Sequence, residues 1–363
     1  MGNHSFSIKV RKSFTPNPVF IDGISRSGKA AIAVTLASLD RTEHVETRNI
    51  IDRIFSLYSL GLLEKNAAID NLITEIDFNL WFNYLGRNLN SNIHDFTSVL
   101  NSRDPEMYKS RMKNHDNNDT FRAFKNFLLK TQPITLDCVD EMVYDSEIFF
   151  EAFPNTKIIV VLRHPIDIAF AWHRTGRGGN YGSDQKTIHP TFNVGEITNV
   201  PAFALDWAHE YHSIKPIDRV AKTISTLCLK YYDYLDNIDS TIQDKILIIP
   251  FEHFVTKPEK FLKKLCSFIG TEVTSVTEAM MGNANIPRVL NKVNFSKKFM
   301  GLKTKMSKNY FNELINVSNI YESTFNPPFR NKNIIKDIDF DFNKPFDEYF
   351  TKKYYSKGKR LNN

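Results

Sequence analysis

The residues most able to do chemistry stand together near the start of the chain: Gly23-Ile24-Ser25-Arg26-Ser27-Gly28-Lys29. Between an apolar strand and a helix, a loop of this composition turns successive backbone N–H groups toward one point. The dipole of the helix adds positive potential there, and the result is a site for phosphate or sulfate. Gly23 and Gly28 permit the tight turns, and Arg26 and Lys29 supply charge. Residues 23–30 fit the nucleotide-triphosphate loop GxxxxGK except at the last position. That motif requires Ser or Thr there to hold Mg²⁺, and Ala30 has no hydroxyl. A sulfuryl group carries less charge than a phosphoryl group and can be handled by cations and N–H groups alone. The loop therefore predicts metal-free transfer from an anionic donor, with no metal ligands. A ligand-free strand–helix turn is the plain alternative, but it leaves two cations beside two glycines on a buried helix without a purpose.

Other reactive side chains fall just past apolar runs. Arg163 follows Lys157-Ile158-Ile159-Val160-Val161-Leu162, the strongest strand signal in the chain. It thus stands at the carboxyl end of a core strand, where open α/β sheets bind ligands. Asp137, Asp140 and Glu141 follow the run 133–136. Asp137 also reads as the magnesium-binding acid of a kinase, and either of the other two as a helix-capping carboxylate. His44 and His115 are weaker candidates, since most lone histidines are surface or satisfied groups. Trp81, Trp172 and Trp207 read as core aromatics, with Trp172 a candidate wall of an acceptor channel.

The elements that must position these groups follow from periodicity. Residues 19–21 form a short buried strand, and residues 29–39 a helix apolar almost all round. Residues 48–85 are helical, with a break at Gly61. Further strands are predicted at 133–137, 157–162 and 245–249. Further helices are predicted at 121–129, 146–153, from 166, at 202–212, 219–237, 258–269 and 310–325. Residues 104–119 read as a polar loop or a short solvated helix, and the glycine-rich stretch 175–182, with Arg174 and Arg177, as a mobile lid over an anionic acceptor. Strands alternating with helices predict an α/β, three-layer architecture: a central, mainly parallel sheet with helices on both faces. No repeat or linker divides the chain, so one domain over residues 1–363 is expected, with a core at about 18–325 and a basic tail at 331–363.

Composition narrows the function classes. The chain has 363 residues, 42% hydrophobic and 24% charged, with a formal net charge of +6. That mild excess suits a small polyanion in one cleft; basic residues scattered among nearly as many acids do not predict a nucleic-acid partner. Three distant cysteines, Cys138, Cys228 and Cys266, each among apolar neighbours, read as buried reduced thiols. No run has the length of a membrane span, the first residues lack a signal-peptide h-region, and Phe6 stands where a myristoylation motif wants Ser or Thr. A cytoplasmic location is expected.

Three segments together resemble the sulfotransferases that use 3′-phosphoadenosine-5′-phosphosulfate (PAPS), in family order and at about family spacing. Residues 20–29 resemble the family's 5′-phosphosulfate loop, written PRSGTT or PKSGTT. Residues 158–172 resemble its 3′-phosphate motif, R-[ND]-P-x-D-x-x-x-S, and residues 246–270 its YEDLVxDP…LxxIxxFLG segment. The resemblance covers about residues 18–325 and implies a fold like that of P-loop NTPases, with release of PAP and no metal. It implies a hydroxyl or amine acceptor on a small molecule, carbohydrate or lipid. Arg26 takes the position of the catalytic Lys or Arg. Arg26, Ser27, Gly28, Lys29, Ala30 and Ala31 take the 5′-phosphosulfate positions, and Arg163 and Ala171 the 3′-phosphate positions. Glu141, then Asp140, stands nearest the general base, and Lys297 and Lys298 resemble a basic loop over the donor. Two departures stand out: Lys29-Ala30 replaces Thr-Thr, and Ala171 replaces Ser. They keep two other readings open, a P-loop kinase and a non-catalytic nucleotide-binding member of the fold. Oligomeric state is not legible.

Overall fold

The computed structural model describes residues 7–113, 120–181 and 190–325. In chain order the elements are β1 (Asn17–Asp22), α1 (Lys29–Ala37), β2 (Thr42–Thr47), α2 (Asn49–Ser59), α3 (Lys65–Tyr84), α4 (Pro105–Lys113) and α5 (Thr120–Thr131). There follow β3 (Ile134–Cys138), α6 (Glu147–Ala152), β4 (Lys157–Leu162), α7 (Pro165–Arg174), α8 (Arg177–Asn180), β5 (Thr191–Val194), β6 (Ile197–Pro201) and α9 (Ala208–Tyr211). The last are α10 (Pro216–Asp236), β7 (Ile246–Pro250), α11 (Phe251–Thr256), α12 (Pro258–Ile269), α13 (Thr277–Asn283), α14 (Lys292–Lys303) and α15 (Lys308–Phe325).

Strands β2, β3, β1, β4 and β7 form one parallel sheet in that spatial order. Side chains alternate across it with period two. Phe20, Ile158, Val160, Leu162 and Ile248 point into a core shared with α2, α3, α6, α7, α10 and α15. Val19, Ile21, Ile159, Val161 and Ile249 point the other way, against α1, α11, α12 and α13. Each such fully buried aliphatic side chain contributes about 1.5–3 kcal/mol of transfer free energy. Burial on both faces explains why these strands read as unbroken apolar runs, and the three-layer α/β architecture follows. No helix among the described residues is long and apolar enough to cross a membrane.

Several elements depart from the sequence expectation. The edge strand β2, Thr-Glu-His-Val-Glu-Thr, is buried with polar side chains, which hid it. The Glu43 carboxylate is held inside by Arg111, at 2.7 and 3.1 Å, and by the Tyr108 hydroxyl at 2.7 Å. Burial would raise that carboxyl, but Arg111 and Tyr108 hold it below its usual value. The exposed hairpin β5–β6 was not foreseen, whereas residues 105–113 form helix α4, the second of the two readings given for 104–119. Residues 202–207 are 3₁₀ rather than α-helical. The expected lid at 175–182 is, over its described part, anchored structure. A Cβ on Gly178 would lie 2.0 Å from the Pro216 carbonyl oxygen, so this glycine serves close packing of α8 on α10. The expected basic loop at Lys297 and Lys298 is instead part of helix α14. His115 and the tail lie outside the described residues.

Candidate functional site

Because all five sheet strands run parallel, their carboxyl ends share one edge. The loop after β1, Asp140 and Glu141 after β3, Arg163 after β4 and Phe251 after β7 meet there. In the first loop Gly23 (φ +149°) and Gly28 (φ +100°) are left-handed. A Cβ on Gly23 would approach the Val161 carbonyl oxygen to 2.4 Å; on Gly28 it would enter the Phe251 ring at 2.2 Å. Both positions therefore exclude side chains. Arg26 is left-handed too (φ +73°), a strained conformation of the kind that gathers at functional sites. It is exposed at the loop's tip. Helix α1 has no side-chain cap and no acidic residue in its first turn, so its leading N–H groups and dipole face the loop uncompensated. Ser27 is buried, and its hydroxyl has no hydrogen-bond partner.

Arg163 extends from β4 with its guanidinium 4.7 Å from the Phe251 ring centroid, and its Nη1 donates to the Arg26 carbonyl at 3.1 Å. Its Nε is buried and unpartnered. The backbone behind it is held by His164 N–H donating to Glu252 at 3.0 Å. Arg288, from the segment after α13, stands over the same ring at 5.5 Å. Burial, then Arg163, holds the Arg288 guanidinium below its usual value. Neither arginine has a carboxylate partner among the described residues. Two uncompensated guanidiniums on one aromatic ring, beside an uncapped helix start, form a cradle for an anion. Sequence reasoning missed Arg288, a lone arginine in a loop with no motif around it.

The carboxylates on the other side of the loop have distinct roles. Asp22 is buried and accepts from Met142 N–H (3.2 Å), Val143 N–H (2.8 Å) and the Tyr231 hydroxyl (3.0 Å), so it ties the segment after β3 to the end of β1. Burial pushes its carboxyl up, against the opposing pull of Lys29. The Lys29 ammonium is nearly buried and donates to the Gly23 carbonyl and to Asp140. Burial would lower its pKa; Asp140, with Asp22, overrides this and raises it. Lys29 thus faces Asp140. Glu141 is left-handed (φ +64°) and has no hydrogen-bond or ion-pair partner among the described residues. Burial, then Asp140, pushes its carboxyl up to about 8. Asp52, which accepts the Asp140 N–H at 3.2 Å, is raised to about 8 by the same two causes in the same order.

Asp52, Asp140 and Glu141 lie at one wall of a cavity of about 280 Å³ between α2, the segment after β3, residues 190–206 and α10. Phe55, Met142 and Phe203 are among its apolar lining residues.

The remaining sequence candidates are placed as follows. Ala30 and Ala31 lie half-buried in the first turn of α1, and Ala171 half-buried on α7. Lys297 is exposed, and Lys298 pairs with Asp167. Asp137 is a structural carboxylate, buried against Arg48. His44 is buried against Glu46 at 2.7 Å, away from the loop. Arg177 donates to Ser25 Oγ and to the Tyr181 hydroxyl, both at 2.8 Å, and Trp172 Nε1 donates to the Ser25 carbonyl at 2.8 Å. These two residues brace the nucleotide-type loop; they do not line the cavity. Cys138 and Cys228 are buried thiols and Cys266 is partly buried.

A family model described as the sulfotransferase family matches residues 18–275. Among solved structures, the chain is similar to the sulfotransferase domain of the Synechococcus PCC 7002 olefin synthase (16% identity, 88% of this chain and 98% of that one, TM-score 0.40). It is also similar to the sulfotransferase domain from the curacin biosynthetic pathway (13%, 85% and 98%, TM-score 0.45) and to a sulfotransferase from Mycobacterium avium (10%, 81% and 77%, TM-score 0.37). At these scores the structural likenesses are weak, and the family model alone carries the assignment. No curated protein matches significantly.

Proposed function

The chain belongs to the sulfotransferase family, and from that premise we propose that it transfers a sulfuryl group from PAPS to a hydroxyl or amine acceptor, leaving PAP. The observation that carries the reading is a pair of buried, unpartnered donors, Ser27 Oγ and Arg163 Nε, at the open start of α1. A buried donor without a partner costs about 1–3 kcal/mol, and the two anionic ends of one PAPS molecule would supply an acceptor to each. PAPS supplies an activated sulfuryl group whose leaving group is a phosphate. The anion cradle suits its two charged ends: the 5′ end at residues 26–30 and the 3′-phosphate at Arg163 and Arg288.

On this reading Arg26 stabilises the negative charge that grows on the bridging oxygen as the sulfur–oxygen bond breaks. Glu141 is the general base. It faces the cavity unpartnered, and raised to about 8 it ionises near the pH at which it must accept the acceptor's proton. Asp140 is less suited, because its carboxylate is already engaged by Lys29. The acceptor oxygen or nitrogen bonds to sulfur from the cavity side. Ala30 offers no magnesium ligand, so the transfer proceeds without metal.

The test incubates the purified protein with PAPS and a mixed acceptor panel, with and without EDTA, and follows PAP and sulfated product by mass spectrometry. PAP affinity is measured separately on wild type and Ser27→Ala. The expected results are EDTA-insensitive release of PAP, turnover rising to a plateau above about pH 8, and weaker PAP binding by S27A without loss of thermal stability. Failure of PAP to bind, or turnover that stops with EDTA, rejects the reading.

A further inference from the structure

The cavity beyond Glu141 carries a marked excess of carboxylates, and that charge bears on what it accepts. Five carboxylates line it: Asp52 from α2; Asp140, Glu141 and Asp145 from the segment after β3; and Asp206 before α9. One lysine lines it, Lys230 of α10. Lys230 is matched by Asp206 at 3.4 Å, and Asp140 by Lys29. Asp52, Glu141 and Asp145 remain without an ion pair among the described residues. The rings of Phe55, Tyr144 and Phe203 border the same space.

From this arrangement we infer that the cavity selects an apolar acceptor carrying a positive charge, such as an arylalkyl ammonium compound, and rejects carboxylate-bearing acceptors of the same shape. The inference rests on the sulfotransferase reading for the word acceptor. Its basis is the cavity's own lining: Asp52 and Glu141, neither with an ion pair among the described residues, stand beside Asp140 in one cavity with aromatic residues, whose rings also attract cations. An ammonium group there offsets the mutual repulsion among Asp52, Asp140 and Glu141; an anion adds to it. Their raised pKa values agree. Near neutral pH Asp52 and Glu141 are largely protonated, so a bound cation ionises them and displaces protons. Asp145, also raised by burial, responds in the same direction. The tyrosine at 144 is pushed further from its titration range by burial and by Glu141, and stays neutral.

Three probes share one phenol and differ only in side-chain charge: tyramine, tyrosol and 4-hydroxyphenylacetate. Titration calorimetry of each, in the presence of saturating PAP, reads the preference. Tyramine is expected to bind about tenfold tighter than tyrosol, with 4-hydroxyphenylacetate weakest. Tyramine affinity rises between about pH 6.5 and about pH 9, and its binding releases protons, seen as a heat that varies with buffer ionisation enthalpy. Asp52→Asn narrows the preference, and D145N does so as well if D52N folds poorly. Equal affinity for the three probes, or preference for the carboxylate, overturns the inference. PAP titrated alone separates the two claims: PAP binding without charge preference sinks only this one. Absent PAP binding sinks the donor assignment, and the probe series, run without PAP, still decides the charge preference.

Discussion

The two sides of the cleft are opposite in charge although they hang from adjacent strands. The proposed donor side, built on β1, β4 and β7, gathers Arg26, Arg163 and Arg288 around the uncapped start of α1. The proposed acceptor side, built on β3 and α2, gathers Asp52, Asp140, Glu141 and Asp145. At the boundary Lys29 reaches from the first group to Asp140 in the second. The contrast separates two tasks. A polyanionic donor needs cations with no carboxylate competing for them, and a proton acceptor needs a carboxylate that no cation has silenced. Lys29 pairs with Asp140 where the two sets meet, with Asp22 at its other side.

Removing the unmatched carboxylate breaks the comparison most sharply. Glu141→Gln is expected to lower kcat by about 10²–10⁴-fold while PAP affinity, read by calorimetry, stays at the wild-type value. Matched losses in both would mean that Glu141 acts on the fold rather than on the proton. Next come the guanidiniums. Arg163→Ala and Arg288→Ala should each weaken PAP binding by about 1.5–3 kcal/mol, with little change in melting temperature, since neither has a carboxylate to leave behind. An R288A variant that binds PAP normally would remove Arg288 from the cradle.

The boundary itself gives a smaller effect of mixed sign. Asp140→Asn leaves the nearly buried Lys29 charge without its partner. Stability should fall by about 1 kcal/mol, discounted because Asp140 is partly exposed. PAP affinity should rise a few-fold as the freed ammonium turns to the donor. Weaker PAP binding in D140N would contradict that role for Lys29. A further effect is on pH dependence. Asp52 and Glu141 titrate near 8 when folded, from ordinary values near 3.8 and 4.5. The native state then holds more protons than the unfolded chain in that window. Stability therefore falls as pH rises from about 4.5 to about 8 and levels off above it. In E141Q, urea unfolding across this range should show a shallower decline, worth a few degrees in melting temperature.

Much of this was legible along the chain. The apolar runs of β1, β3, β4 and β7 announced themselves because both faces are buried, and the glycine loop because its residues are contiguous. The edge strand β2 was hidden by Glu43 and His44, polar groups held inside by Arg111 and Tyr108 from α4 and by Glu46 on the strand itself. Gly178 suggested mobility, yet it is where α8 packs against the Pro216 carbonyl. Lys297 and Lys298 read as a basic loop, but a helix carries them and Asp167 takes Lys298.

What residue order determined alone was four of the five parallel strands and the anion-seeking turn, because apolar runs and left-handed glycines act over a few neighbouring positions. Only tertiary structure decided which charges are free. Arg288 lies more than a hundred residues from Arg163, and Asp140 as far from Lys29. Whether such groups are paired or open depends on which chain segments the sheet brings to one edge, and that distance relation is absent from local sequence.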